Sequence, residues 1–205
     1  MAAFPSSGDA VPPQQPAAAI LDAARALFTE GGYEAMTVVA VADAAGVSHQ
    51  VVHRQFAHPG ALLECLVDRD VDDLVKRLRE ATPASGDIES LVGTSLAVFV
   101  DFVLEHRREY LLLFGHAGRA EPEVATILGE LRTRLADLYI SVFAPAIEAT
   151  GVPWPSPAQA RLVAYAIMAL CEGVVLAWLE DPAVAVTRDG VIELLQAMVV
   201  RALVA

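Results

Sequence analysis

Five polar side chains fall within seven consecutive residues: His49, Gln50, His53, Arg54 and Gln55. Their types suit contact with flat polar edges, since a glutamine amide makes paired hydrogen bonds with adenine and a guanidinium grips phosphate or guanine. His49 and His53 stand four apart, a spacing that puts two metal ligands on one helical face, but no third ligand accompanies them and solvated histidines are the simpler reading. Glu172 is the other residue with chemical potential, the single charge in the otherwise apolar run 162–179. A carboxylate so placed must be paired, protonated or partly solvated. It could meet a ligand amine or hydroxyl, or equally Arg161, a backbone amide or a second subunit. Cys65 and Cys171 are isolated thiols without CxxC spacing, which suggests neither a disulfide framework nor a zinc site and fits a reducing cytoplasm. No Gly-x-Ser-x-Gly elbow, Walker loop, dinucleotide fingerprint or HExxH occurs, so an enzyme lacks its parts and no cofactor or metal is expected.

The whole chain limits what can position these groups. It has 205 residues, 55% hydrophobic and 20% charged, with a mean hydropathy of +0.47. That is apolar for a globular protein and points to surface buried in an oligomer. A net charge of −12 argues against non-specific nucleic-acid binding by the molecule as a whole, while leaving room for a local contact. Residues 1–16, rich in Pro, Ser, Gln and Ala, read as a disordered leader without the features of a signal peptide. The run 162–179 is long enough to raise a membrane question. Its central carboxylate, the acidic Glu180-Asp181 flank and the lack of a basic cluster argue against a span. A helix apolar all round also results when one face packs into its own domain and the other into a partner.

Helical periodicity runs through the chain. Ile20, Ala23, Ala24, Leu27 and Phe28 share one face of a helix that Gly31-Gly32 ends. Thr37 offers an N-cap to a short helix reaching about Ala44, Gly46 turns the chain, and Ser48 caps a third helix to about Gln55. Short helix, glycine turn and short helix make a helix-turn-helix, or simply a small three-helix unit. Its expected core is Ile20, Ala24, Leu27, Phe28, Val41, Ala42, Val47 and Phe56. After His58-Pro59-Gly60 a long fourth helix carries Leu63, Val67, Val71, Leu74 and Leu78. Asp87 caps a fifth with Ile88, Leu91, Val92, Ser95, Leu96, Phe99, Phe102 and Val103 inward. A short helix follows over 110–114, and a long one after Gly118 carries Val124, Ile127, Leu128, Leu131, Leu135, Leu138, Val142 and Ile147. A Pro-rich connector at 151–157 leads to final helices near 157–179 and 188–204.

The residues Ile20-Leu21-Asp22-Ala23-Ala24, Leu27-Phe28, Gly32-Tyr33, Thr37-Val38, Val41-Ala42, Ala45-Gly46-Val47-Ser48, Phe56 and Leu62-Leu63 resemble the TetR family of regulators over about forty-five positions. The run from Glu172 to Leu179, followed by Asp181-Pro182, resembles the penultimate helix of the same family. The resemblance implies an all-α fold of about nine helices. Its parts would be a helix-turn-helix DNA-binding domain at 17–60 and a ligand-binding and dimerisation domain at 61–205. It further implies a homodimer through the last two helices, a palindromic double-stranded DNA operator, and a small hydrophobic effector whose binding relieves repression. The DNA-contacting set would be Thr37, Ser48, His49, Gln50, Val51, His53 and Arg54. The effector set would be Phe99, Phe102, His106, Tyr110, Phe114, Tyr165, Met168 and Glu172.

Departures fall where the family touches DNA. Gln50 stands where a small residue is common, Val51 where Thr is frequent, His53 where Tyr is usual and Pro59 where Lys is usual. Residues 17–64 also hold only Arg25 and Arg54 against Asp22, Glu30, Glu34, Asp43 and Glu64, a net of −3. One reading is a different but working contact set; the other is a headpiece that keeps its core but has lost its contacts, leaving a regulator-like dimer that binds ligand or protein but not DNA.

Overall fold

The structure is a computed structural model and describes residues 15–82, 87–115, 118, 120–151 and 156–204. Among the described residues there are nine α-helices, one short 3-10 turn and no strand. They are α1 (Gln15–Gly31), α2 (Val38–Ala45), α3 (His49–Gln55), α4 (Pro59–Ala81), α5 (Ile88–Glu105), α6 (Arg107–Phe114), α7 (Pro122–Ala149), α8 (Pro157–Glu180) and α9 (Arg188–Val204), with the 3-10 turn at Tyr33–Ala35. The fold is all-α, as the periodicity requires. The leader and most of the 82–86 and 151–157 breaks lie outside the described residues. The chain divides into two compact units, Met1–Leu66 and Val67–Ala205, so the division falls inside α4, a few residues after the boundary expected at 60/61.

In the first unit α1 buries Ile20, Ala24 and Phe28, one residue per turn of the same face. Against them lie Val41 and Ala42 of α2, Val52 of α3, Phe56, and Leu62, Leu63 and Leu66 of α4, all buried. Three members of this core escape the sequence pattern: Met36, fully buried between the 3-10 turn and α2, Val52, and Leu66. Leu27 and Val47, expected in the core, are half-buried. The Thr37 hydroxyl accepts the Ala40 N–H at 3.1 Å and starts α2. Gly46 ends it in the left-handed region at φ 66°, where Val47 N–H returns to the Ala42 carbonyl at 3.0 Å. Ser48 occupies the N-cap position of α3, but its hydroxyl makes no capping bond; its carbonyl takes the N–H groups of Val51 and Val52 instead. The break at residues 58–60 is in fact the start of α4. Pro59 opens the helix, where its missing N–H costs nothing, and His58 Nδ1 accepts the Ala61 N–H at 3.3 Å.

In the second unit α5, α6, α8 and α9 share a core. Val92, Leu96, Val100, Val103 and Tyr110 meet Ile167, Cys171, Val175, Leu176 and Leu179 of α8 and Val191, Ile192, Leu195 and Val199 of α9. Asp87 caps α5 by accepting the Ser90 N–H at 2.7 Å. Gly93 lets α9 approach α5: a Cβ there would stand 3.0–3.1 Å from the amide of Gln196, whose Nε2 donates to the Glu89 carbonyl at 2.9 Å. Ion pairs then fix the register. Arg188 of α9 grips Asp101 of α5 through Nε at 2.5 Å and Nη2 at 2.7 Å. Arg77 of α4 reaches Glu105 of α5 at 2.7 Å. Arg107 Nη2 donates to the Leu179 carbonyl at 3.0 Å, satisfying an acceptor that the end of α8 leaves open.

Residues 158–180 of α8 are long and apolar enough to cross a membrane by length and composition alone, with a mean hydropathy of 2.1. Their burial is one-sided. Ala160, Ala164, Ile167, Cys171, Val175 and Leu179 face the core, while Leu162, Ala166, Ala169, Gly173 and Ala177 line an exposed face. On α9, Leu194, Ala197 and Met198 are likewise exposed.

Candidate functional site

The α3 helix is seven residues long and turns one side inward through Val52, so nearly everything else on it faces out. Ser48, His49, Gln50, His53, Arg54 and Gln55 are exposed and Val51 is half-buried. Thr37, at the start of α2, is exposed too; its hydroxyl oxygen accepts the capping bond from Ala40 N–H, and its O–H can still donate. All seven residues expected to contact DNA therefore lie at the N-terminus of α2 or along α3. Asp43 brings a carboxylate to 3.8 Å from His49 Nε2, so the acidic character of this unit reaches the row itself. Among the described residues no three His, Cys, Asp or Glu side chains converge in metal-binding geometry.

A cavity of about 190 Å³ lies within the second unit. Leu74, Val75 and Leu78 of α4 form one wall; Leu91, Val92, Ser95, Leu96 and Phe99 of α5 form another. Tyr110 and Phe114 of α6, the inner face of α7 from Leu131 to Ile147, and Ile167, Met168, Cys171 and Glu172 of α8 close it. Four of its five aromatic rings come in pairs, Tyr110 and Phe114 at 4.7 Å and Tyr139 and Phe143 at 4.6 Å; the fifth is Phe99. Burial pushes the Cys171 thiol up to about 12 and raises the Tyr139 hydroxyl as well, with Cys171 nearby adding to it, so both stay neutral at physiological pH and the lining remains apolar in effect.

Five of the eight effector candidates line this cavity: Phe99, Tyr110, Phe114, Met168 and Glu172. The other three lie elsewhere. Phe102 and His106 stack on each other at 4.4 Å with Arg77 over the Phe102 ring, and Tyr165 reaches the Thr133 hydroxyl at 3.5 Å. The aromatics that periodicity passed over, Tyr139 and Phe143, sit on α7, where the pattern highlighted aliphatic residues; they fall one helical turn apart on the cavity side.

Glu172 is not a partner of Arg161, which pairs with Asp137 at 2.9 Å. Its carboxylate takes Arg132 of α7, with Nη2 at 2.8 Å from each oxygen. These two are the charged members of the cavity lining, and both also line an outer crevice with Ala125, Leu128, Ala169 and Gly173. The pair thus stands in the wall between an apolar interior and the surface.

A glycine-turned helix pair with an outward polar row has the geometry of a helix-turn-helix, and the second unit carries an apolar cavity among its helices. Residues 20–64 match the family of bacterial regulatory proteins called tetR, and residues 88–202 match the tetracyclin repressor-like C-terminal domain. The chain belongs to the TetR family of transcriptional regulators. A curated relative, the HTH-type transcriptional activator FasR of Mycolicibacterium smegmatis, is 30% identical over 118 residues, which cover 58% of this chain and 54% of that protein. The chain therefore matches about half the length of this relative. Among solved structures, a TetR-family regulator from Syntrophomonas wolfei superposes with a TM-score of 0.75 at 17% identity, covering 94% of this chain and 96% of that one. Salmonella enterica GusR does so at 0.72 with 20% identity, over 94% and 97%. The fatty acid degradation regulator FadR from Bacillus halodurans gives 0.61 at 16% identity, over 94% and 96%. At these identities the structures share the fold.

Proposed function

We propose that this protein is a ligand-responsive transcriptional regulator, a homodimer that reads a palindromic double-stranded DNA operator and is released from it by a small hydrophobic effector. One observation carries the reading: α4 is a helix that begins four residues after the polar row of α3 ends at Gln55 and whose later turns, Leu74, Val75 and Leu78, form a wall of the cavity. A ligand that shifts α4 would act on the reading helix through this shared segment of chain, and the size of the response is bounded by its differential affinity for the two arrangements. Gln50 and Arg54 are the base-reading candidates. Thr37, Ser48, His49, Val51 and His53 complete the surface toward backbone and base edges. Dimerisation would use the exposed faces of α8 and α9, where Leu162, Leu194 and Met198 are 70%, 51% and 41% exposed. Two such faces give a four-helix seam. Such a seam would account for the apolarity of α8 without a membrane, and a regulator of transcription would work in the cytoplasm.

The test is selection from random duplex DNA by purified protein, beside the Gln50→Ala, Arg54→Ala double variant and across salt concentrations. A palindrome enriched by the parent and lost in the variant is expected, with a shallow salt slope because few cations face DNA. The net charge of −3 over residues 17–64 favours one rival, a headpiece that has lost DNA. A folded dimer that enriches no sequence would establish that rival. The proposed sign is repression relieved by ligand. FasR is an activator by name, so a promoter reporter should carry the selected site both over and upstream of the start: silencing relieved by ligand supports repression, and stimulation from the upstream site overturns it.

A further inference from the structure

The charged doorway of the cavity says which effector chemistry fits. We propose that the effector carries a positive charge on an apolar body, that Glu172 anchors this charge, and that Arg132 is the counter-ion it displaces. This rests on the effector reading above and deepens it.

The asymmetry of the ion pair decides the sign. Arg132 is 44% exposed and Glu172 only 14%, so the guanidinium can leave toward water and the carboxylate cannot. A cationic head arriving at the doorway exchanges one positive partner of Glu172 for another, and Arg132 moves into the outer crevice of about 490 Å³. That crevice has space for it, since a Cβ added at Gly173 would meet nothing within 4 Å. An anionic head would have to take Arg132 instead and would leave a mostly buried carboxylate beside a second negative charge, which is the costly arrangement.

The interior supplies a second, independent argument. Five rings line the cavity, Phe99, Tyr110, Phe114, Tyr139 and Phe143, and the negative face of an aromatic ring attracts a cation in a desolvated site. Neither Cys171 nor Tyr139 ionises near neutral pH, so Glu172 is the anionic group among the described lining residues.

The full-length protein is titrated with three probes of one chain length and different heads: dodecyltrimethylammonium, dodecanol and dodecanoate, each below its micellar concentration. The ammonium should bind about tenfold tighter than the alcohol, and Glu172→Gln should erase that margin, weakening the ammonium far more than dodecanol. Arg132→Ala, which removes the competing cation, should tighten the ammonium relative to the alcohol. Thermal melts of each variant confirm folding, and the half-exposed Arg132 lets the second variant stand if the first is unstable. Tightest binding by dodecanoate, lost in Arg132→Ala, would overturn the proposal in favour of an anionic ligand. Equal affinity for all three would show that the head is not read. Both results leave an effector cavity in place, whereas no binding by any probe removes the cavity reading and this inference with it.

Discussion

Arg188 holds the carboxylate of Asp101 with two of its nitrogens and Asp189 with the third, at 2.6 Å. The hydrogen bond from Arg188 lowers the Asp101 carboxyl below its ordinary value, outweighing the opposing effect of burial. A depressed carboxylate stabilises the fold above its unfolded pKa, and the gain disappears as pH falls through the lower folded value. Since Asp101 is 46% exposed, solvent screening keeps the gain to roughly 0.5 kcal/mol. Asp101→Asn should therefore lower the melting temperature by about 2 °C at neutral pH, and the gap to the parent should close as acid carries the pH below the depressed folded value of Asp101. Melting curves across pH check both halves. At the same scale the cavity already differs from a plain core: the one mostly buried carboxylate in its wall is met by a guanidinium forty residues away, and no local pattern announces that partner.

Helices follow local rules more closely, and that is why they were legible. The caps at Thr37 and Asp87, the glycine turn at Gly46 and most of the inward stripes of α1 and α5 appear where residue type and spacing put them; on α5, fully buried Val100 falls outside the expected stripe and Phe102 stacks on His106 instead. Met36 was hidden because it lies in a non-helical link, where periodicity has no phase to follow. Val52 was hidden because α3 is too short to show a stripe. His58 was read as part of a chain break since histidine is not among the usual caps, yet its ring nitrogen serves the same orphan N–H. Placement of the effector candidates needed tertiary information: Phe99 and Phe102 lie almost one turn apart on α5, but only Phe99 faces the cavity. The glycine turn offers a clean test of an element. A Cβ at Gly46 would meet nothing within 4 Å, so Gly46→Ala is opposed by backbone strain alone and should cost about 1 kcal/mol in chemical denaturation.

At the scale of the molecule, two apolar faces remain outside the core: residues 162, 166, 169, 173 and 177 on α8, and Leu194, Ala197 and Met198 on α9. If they form the subunit seam, a Leu162→Glu, Leu194→Asp variant should sediment as a monomer while keeping its helical circular dichroism, because both side chains project from the surface. Operator affinity should fall with it, by far more than from any single contact, since half a palindrome is then read at a time. A variant that remains dimeric in sedimentation would move the seam elsewhere.

The position of the Arg132 and Glu172 pair has a further consequence for that seam. Its inner side looks into the cavity, and its outer side shares a crevice with Ala169 and Gly173, two of the small residues on the exposed face of α8. While closed, the pair sums to no charge and sits quietly beside an apolar contact. Opened by a guest, it turns a neutral spot into a lone guanidinium at the margin where two subunits would meet. Electrostatic neutrality of the seam would then be a report on whether the interior is occupied, and, because linkage runs both ways, tightening the seam would itself select against the guest.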